Sequence, residues 1–209
     1  MSTNTKKNTR FAIRDNESST RQHLSAFVAN METFYKKFVH LTSNENIVDW
    51  GFSKKKVKIV GVEDIEECIW SPMFGIQGQI DATLQCTSDT NVHSSKVKVK
   101  VKVSTQTSAE KKTSLSAGLV PFELKTGKET ETAKLQARAQ LAMYSLLISD
   151  RYDIDLESVD GGLLYYLKTG NLMGIPLPHN EIRALLIRRN FLAHYLRDQM
   201  RKHVDSDLV

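Results

Sequence analysis

The chain has 209 residues, 40% hydrophobic and 25% charged, the balance of a soluble globular protein with room for one domain around a single sizeable core. A net charge of +5 is compatible with a nucleic-acid partner but too weak to argue one. No apolar run approaches the roughly 20 residues of a membrane helix, the polar N-terminus holds no secretory signal, and Cys68 and Cys86 have no metal-ligand spacing, so they read as reduced core thiols of an intracellular protein.

Residues 1–19 read as a disordered leader and 20–209 as one domain. From Thr20 to about Leu41, Leu24, Phe27, Val28, Met31, Phe34, Tyr35 and Phe38 mark one face of an amphipathic helix. Residues 54–69 read as a strand with a bulge near Gly61, and 76–86 as a second strand. Residues 88–117 are rich in Ser, Thr and Lys and read as a flexible insert. Inside it, KVKVKVKV alternates as a strand with a lysine face that discourages edge pairing. A strand at 119–125, a Thr126-Gly127 turn and a helix from about Glu131 to Ser149 follow. LLYYLK, near residue 165, reads as a buried strand with LMGIPLP as its hairpin partner. A last helix spans 180–203 with Ile182, Leu185, Leu186, Leu192, Leu196 and Met200 inward. This order suggests an α/β fold, a mixed sheet flanked by helices.

The stretch LVPFELKTGKETETAKLQARAQLAMYSLL, from Leu119, carries the chemistry. Residues two apart on a strand share a face, so Glu123 and Lys125 project together while Phe122 and Leu124 face away. Alone, that spacing describes a surface ion pair worth little. About 40 residues upstream, Gly78-Gln79-Ile80-Asp81-Ala82 sets a second carboxylate inside a strand, where aspartate is disfavoured by propensity and costly if buried unpaired. Two carboxylates and a lysine on adjacent strands make a candidate site for a hard cation, Mg²⁺ or Mn²⁺. Gln136, Gln140 and Tyr144 lie four apart on one helical face, among Leu135, Leu141 and Leu147, and that face is positioned to look onto the strand ends.

An Asp, then E-x-K, then a helix with Q-x-x-x-Y resembles the PD-(D/E)xK nuclease superfamily in its RecB-like branch. DIEECIWSPMFGIQGQIDATL, PFELKTGKET, RAQLAMYSLL and GLLYYLKTGNL, in that order, resemble the nuclease domains of the eukaryotic DNA replication helicase/nuclease family, over about residues 54–197. The resemblance implies a restriction-endonuclease-like core and a metal-dependent endonuclease acting on single-stranded DNA, in 5′ flap processing and end resection. It implies metal binding by Asp81, Glu123 and the Leu124 carbonyl, with Lys125 beside the attacking water and scissile phosphate. Gln140 would position the lysine or substrate and Tyr144 would support the site. Lys128, Lys134 and Arg138 become candidate phosphate contacts, each with a solvated charge as the plainer reading. The family also implies a nuclear location, with the mitochondrion as a second compartment, and a single-strand DNA-binding protein as partner.

The departures matter as much. The family's upstream G-T-x-x-H-E motif has no match; His23, in TRQHLSAF, reads as a surface histidine. The family's iron–sulfur cluster needs four cysteines, and this chain has none after Cys86. There is no G-x-x-x-x-G-K-[ST] loop, hence no helicase motor. The chain therefore reads as the nuclease core of a longer protein. Two alternatives stand beside it: an impaired copy acting as a DNA-binding or interaction module, and an unrelated α/β domain with a fortuitous E-x-K.

Overall fold

Helix α1 spans Glu17–Phe34 in a computed structural model that describes residues 16–40, 46–51, 53–88, 117–159 and 161–206. Asn16 caps the helix, its side chain accepting from the Ser19 amide at 2.7 Å. The helix thus starts three residues inside the segment expected to be leader. It closes with a wider π-type turn, Tyr35–Val39. Then come β1 (Ile47–Asp49), β2 (Lys54–Ser71), β3 (Ile76–Ser88), β4 (Gly118–Lys125), α2 (Glu131–Tyr152), β5 (Gly162–Tyr166), β6 (Asn171–Ile175) and α3 (His179–Ser206). The side chain of His23 and the KVKVKVKV segment lie outside what is described.

The sheet is mixed, as expected. Strands β1 to β4 pair antiparallel in chain order, β4 and β5 run parallel, and β5 and β6 form a hairpin. The parallel pair requires a crossover, and α2 is that crossover. One parallel bridge, Asp49 to Met173, brings β1 against β6 and closes the sheet on itself. Register shifts at Ile59/Gly61 and Val62/Asp64 confirm a bulge beside Gly61.

Strand alternation sorts β4 between two cores. Val120, Phe122 and Leu124 join a cluster with Trp50, Val57, Leu84, Leu163 and Tyr165, covered by Phe34 and Phe38. On the opposite face Leu119 joins Ile80, Leu164 and Tyr166 against Ala137, Leu141, Tyr144, Leu147 and Ile148 of α2. Each fully buried large aliphatic side chain contributes about 1.5–3 kcal/mol, so these clusters fix α2 on the sheet. Thr130 caps α2, its side chain accepting from the Ala133 amide at 3.2 Å.

The structure corrects four expectations. From α1 and its closing turn, Phe27, Phe34, Phe38 and Val39 pack on the sheet; Leu24, Val28, Met31 and Tyr35 are exposed. On α3, Ile182, Leu185 and Leu186 pack against α2, whereas Leu192, Leu196 and Met200 are 58, 51 and 70% exposed. The apolar stripe there outruns the surface that the described residues offer it. Cys68 is exposed, its sulfur 3.6 Å from Gln77 Nε2, and only Cys86 is a core thiol. Leu135 is exposed as well, because α2 reaches the sheet only from Ala137 onward.

Candidate active site

Asp81 and Glu123 each lie one residue beyond the last ladder pair of β3 and β4, Ala82 with Phe122. Past that pair the Leu124 amide donates to the Asp81 carboxylate, at 2.7 Å from Oδ2. The side chain of Asp81 thus serves as acceptor for a strand amide. Glu123 and Lys125 share the α2 side of β4, as the two-residue period requires, and Lys125 Nζ donates to Glu123 Oε1 at 2.5 Å.

Helix α2 extends the connection. Lys125 Nζ also donates to Gln140 Oε1 at 3.2 Å, and Gln140 Nε2 donates to the Tyr144 hydroxyl at 2.7 Å. That hydroxyl donates to the Gln79 carbonyl at 2.5 Å. One chain of hydrogen bonds therefore runs from β4 through α2 to β3, two residues from Asp81. Gln140 and Tyr144 reach it together because they stand one helical turn apart. Gln136, a turn earlier, is exposed.

Glu123 is 3% exposed, and its Oε2 is buried without a partner. Burial raises its pKa above the ordinary carboxylate value, Lys125 pulls the other way, and the negative charge of Asp81 adds to the rise. Burial likewise raises the Tyr144 hydroxyl, against the pull of Gln140. An orphaned carboxylate oxygen beside a second carboxylate, in a poorly hydrated place, is a donor set that fits a hard divalent cation. Among the described residues no group of three or more His, Cys, Asp or Glu converges. A cation held by two carboxylates would keep waters in its shell, as Mg²⁺ habitually does.

The three basic residues differ. Arg138 forks onto Glu181 of α3, with Nε 2.6 Å from Oε2 and a second contact from Nη2 to Oε1. Lys134 is paired with Glu129 at 3.0 Å and Glu131 at 3.1 Å. Lys128 is exposed in the β4–α2 loop. Glu181 and the Gln79 carbonyl have no signature in local spacing, since each meets its partner only through the fold.

A cavity of about 380 Å³ lined by Trp50, Lys55, Glu157, Gly161, Pro176 and His179 touches none of the converging residues. Gly161 precedes β5, whereas Lys125 ends the parallel strand β4. The cavity therefore sits at the other end of the sheet. The two cysteines do not fit an iron–sulfur cluster. Cys68 faces Gln79 across the β2–β3 ladder, and Cys86 lies seven residues further along β3, roughly 24 Å at the usual rise.

The sheet order, the crossover helix and the carboxylates placed where β4 ends define a restriction-endonuclease-like core. A family model for DNA replication factor Dna2 matches residues 3–86. The chain is 33% identical over 188 residues to the DNA replication ATP-dependent helicase/nuclease JHS1 of Arabidopsis thaliana, covering 88% of this chain and 12% of that protein. It is 36% identical over 152 residues to the DNA replication ATP-dependent helicase/nuclease DNA2 of Xenopus laevis, covering 73% of this chain and 12% of that one. Against the Homo sapiens DNA2 the identity is 35% over 141 residues, covering 67% and 11%. The chain belongs to the Dna2 family, and it spans about an eighth of the length of these relatives.

Proposed function

We propose that this chain is a metal-dependent endonuclease domain that hydrolyses phosphodiester bonds in single-stranded DNA, as at 5′ flaps and resected ends. The observation that carries this reading is the unpartnered, buried Glu123 Oε2 beside Asp81, with Lys125 held alongside. Asp81, Glu123 and the Leu124 carbonyl are the proposed ligands of Mg²⁺ or Mn²⁺. Bound there, the cation supplies a positive charge that acidifies water and offsets charge on phosphate.

The chain's own groups do the rest. Glu123 and Gln140 take two of the Lys125 ammonium's hydrogen bonds, which leaves a third proton for a phosphate oxygen or the attacking water. Gln140 is in turn held by Tyr144, and Tyr144 by β3, so the ammonium is fixed before substrate arrives. The nucleus is the proposed setting, and a single-strand DNA-binding protein the proposed partner of the longer protein.

The test is Mg²⁺- or Mn²⁺-dependent degradation of a labelled single strand. The unmodified chain should degrade it, and Asp81→Ala should neither cut nor bind metal. Strand binding without any cutting would instead favour a DNA-binding module.

A further inference from the structure

The sequence Leu-Lys-Thr-Gly occurs twice, as Leu124–Gly127 at the end of β4 and as Leu167–Gly170 at the end of β5. Because β4 and β5 are parallel, with Lys125 opposite Tyr166, both turns emerge at the same end of the sheet. They are joined there. The Leu167 amide donates to the Lys125 carbonyl at 2.8 Å, and Asn171 Nδ2 donates to Glu129 Oε2 at 3.1 Å. The β5–β6 turn is thus continuous with the rim of the site.

Helix α1 fixes that turn from the other side. Asn30 Nδ2 donates to the carbonyls of Leu167 at 2.8 Å and Lys168 at 3.2 Å, and the Tyr165 hydroxyl donates to the Asn30 carbonyl at 2.9 Å. Gly170 closes the turn at φ +68°, where an added Cβ would crowd Asn30 Oδ1 at 3.2 Å. The Lys168 side chain is exposed and has no ion pair among the described residues. Lys134 and Arg138, by contrast, are neutralised by carboxylates. Lys168 is therefore a free positive charge on an anchored backbone, two residues past Tyr166, the register partner of Lys125.

We propose that the β5–β6 turn is a second phosphate-binding element, in which Lys168 contacts a backbone phosphate flanking the scissile one. The proposal rests on the nuclease reading for the identity of the polyanion. Lys168 is a positioning residue: a backbone contact orients a strand without reading its sequence, so it acts on binding and not on the chemical step.

The experiment uses the 209-residue chain and a fluorescent oligothymidylate. Binding is followed by anisotropy in Ca²⁺ over a salt series, and cleavage is followed in Mn²⁺. Lys168→Gln should raise Kd and KM about 5- to 10-fold with kcat unchanged, as expected for one lost solvent-exposed hydrogen bond of ordinary strength. The slope of log affinity against log salt should become shallower by about 0.7, the value for one single-strand phosphate contact. Lys168→Arg should restore both. Lys58→Gln removes the same charge from an exposed position on β2 and should leave both unchanged. An unaltered slope in Lys168→Gln overturns the proposal, as does an equal change in Lys58→Gln, or a fall in kcat with KM unmoved. A chain that binds strands without cutting them removes the nuclease reading but leaves Lys168 decided by the titration. A chain that binds no strand at low salt overturns the phosphate contact as well.

Discussion

Glu123 and Glu67 are both buried carboxylates of this sheet, and their partners separate their roles. Glu67 accepts from the Thr83 hydroxyl at 2.5 Å and the Tyr152 hydroxyl at 2.8 Å. Both of its oxygens are satisfied, and it pins the end of α2 to the sheet. Burial, then the bond to Glu67, raises the Tyr152 hydroxyl well above its ordinary value. Glu123 keeps one oxygen without a partner, and that difference makes a stability prediction. Its folded pKa is raised above the ordinary 4.5, so the folded chain holds this proton to a higher pH than the unfolded chain does. The associated stability is complete below about pH 4.5 and is lost as pH rises through the raised value. Metal-free Glu123→Gln should therefore melt higher than the unmodified chain at pH 7, by roughly 2–4 °C per kcal/mol in a chain of this size. The gap should close toward pH 4. Added Mn²⁺ should stabilise the unmodified chain and not the variant. Melts from pH 4 to 7.5, with chelator or with Mn²⁺, would show it, and a pH-independent gap would refute it. Lys125 makes a complementary case. Lys125→Ala should remove cleavage by at least about 100-fold, as loss of a charge-stabilising donor does, while metal titration stays within a few-fold. Cleavage retained by Lys125→Ala would end its proposed role.

Helix α2 matters as an element because one face carries the core and the polar pair together. Gly78 shows how closely it is seated. A Cβ at that position would come within 2.8 Å of Leu147 Cδ1 and 2.9 Å of Tyr144 Cε1. The glycine three residues before Asp81 is thus where the helix rests on β3. Gly78→Ala should lift α2 locally, cost about 1–3 kcal/mol and lower kcat, because Gln140 and Tyr144 move with the helix. Thermal melts and steady-state kinetics check this, and unchanged kcat in a destabilised variant would show that the site tolerates helix displacement. The same helix shows what was legible in the sequence. Period-two alternation gave the shared face of Glu123 and Lys125, and the four-residue spacing gave Gln140 and Tyr144 as a pair. Arg138 was legible only as a charge, because its partner Glu181 stands 43 residues away on another element. On α1 and α3 the pattern marked which face is apolar. It carried no information on how far along the helix a partner surface extends, and so Leu192, Leu196 and Met200 were misjudged.

Across the whole molecule, the parallel β4–α2–β5 unit decides where the candidate site sits. It gathers Asp81, Glu123, Lys125 and both Leu-Lys-Thr-Gly turns where β4 and β5 end. The order of elements made that unit readable in advance. The closure of the sheet was not readable, since it depends on a three-residue strand and a single bridge from Asp49 to Met173. Residues 89–116 lie outside the described structure, but the strands on either side of them are described. Cys86 pairs with Gly118, so β3 and β4 end side by side, a separation that hairpin loops of two to five residues span. Replacing 89–116 by a four-residue Gly/Ser/Asn turn should therefore give a soluble chain that melts within a few degrees of the original. The Mn²⁺ affinity and the salt slope for single-strand binding should be unchanged, because Asp81, Glu123, Lys125 and Lys168 all lie outside the excised segment. Circular dichroism melts and the two titrations test this together. An insoluble product, or a fall in Tm of about 10 °C, would mean that the excised residues bury several kcal/mol of surface against the rest. The valines of KVKVKVKV would then be core side chains.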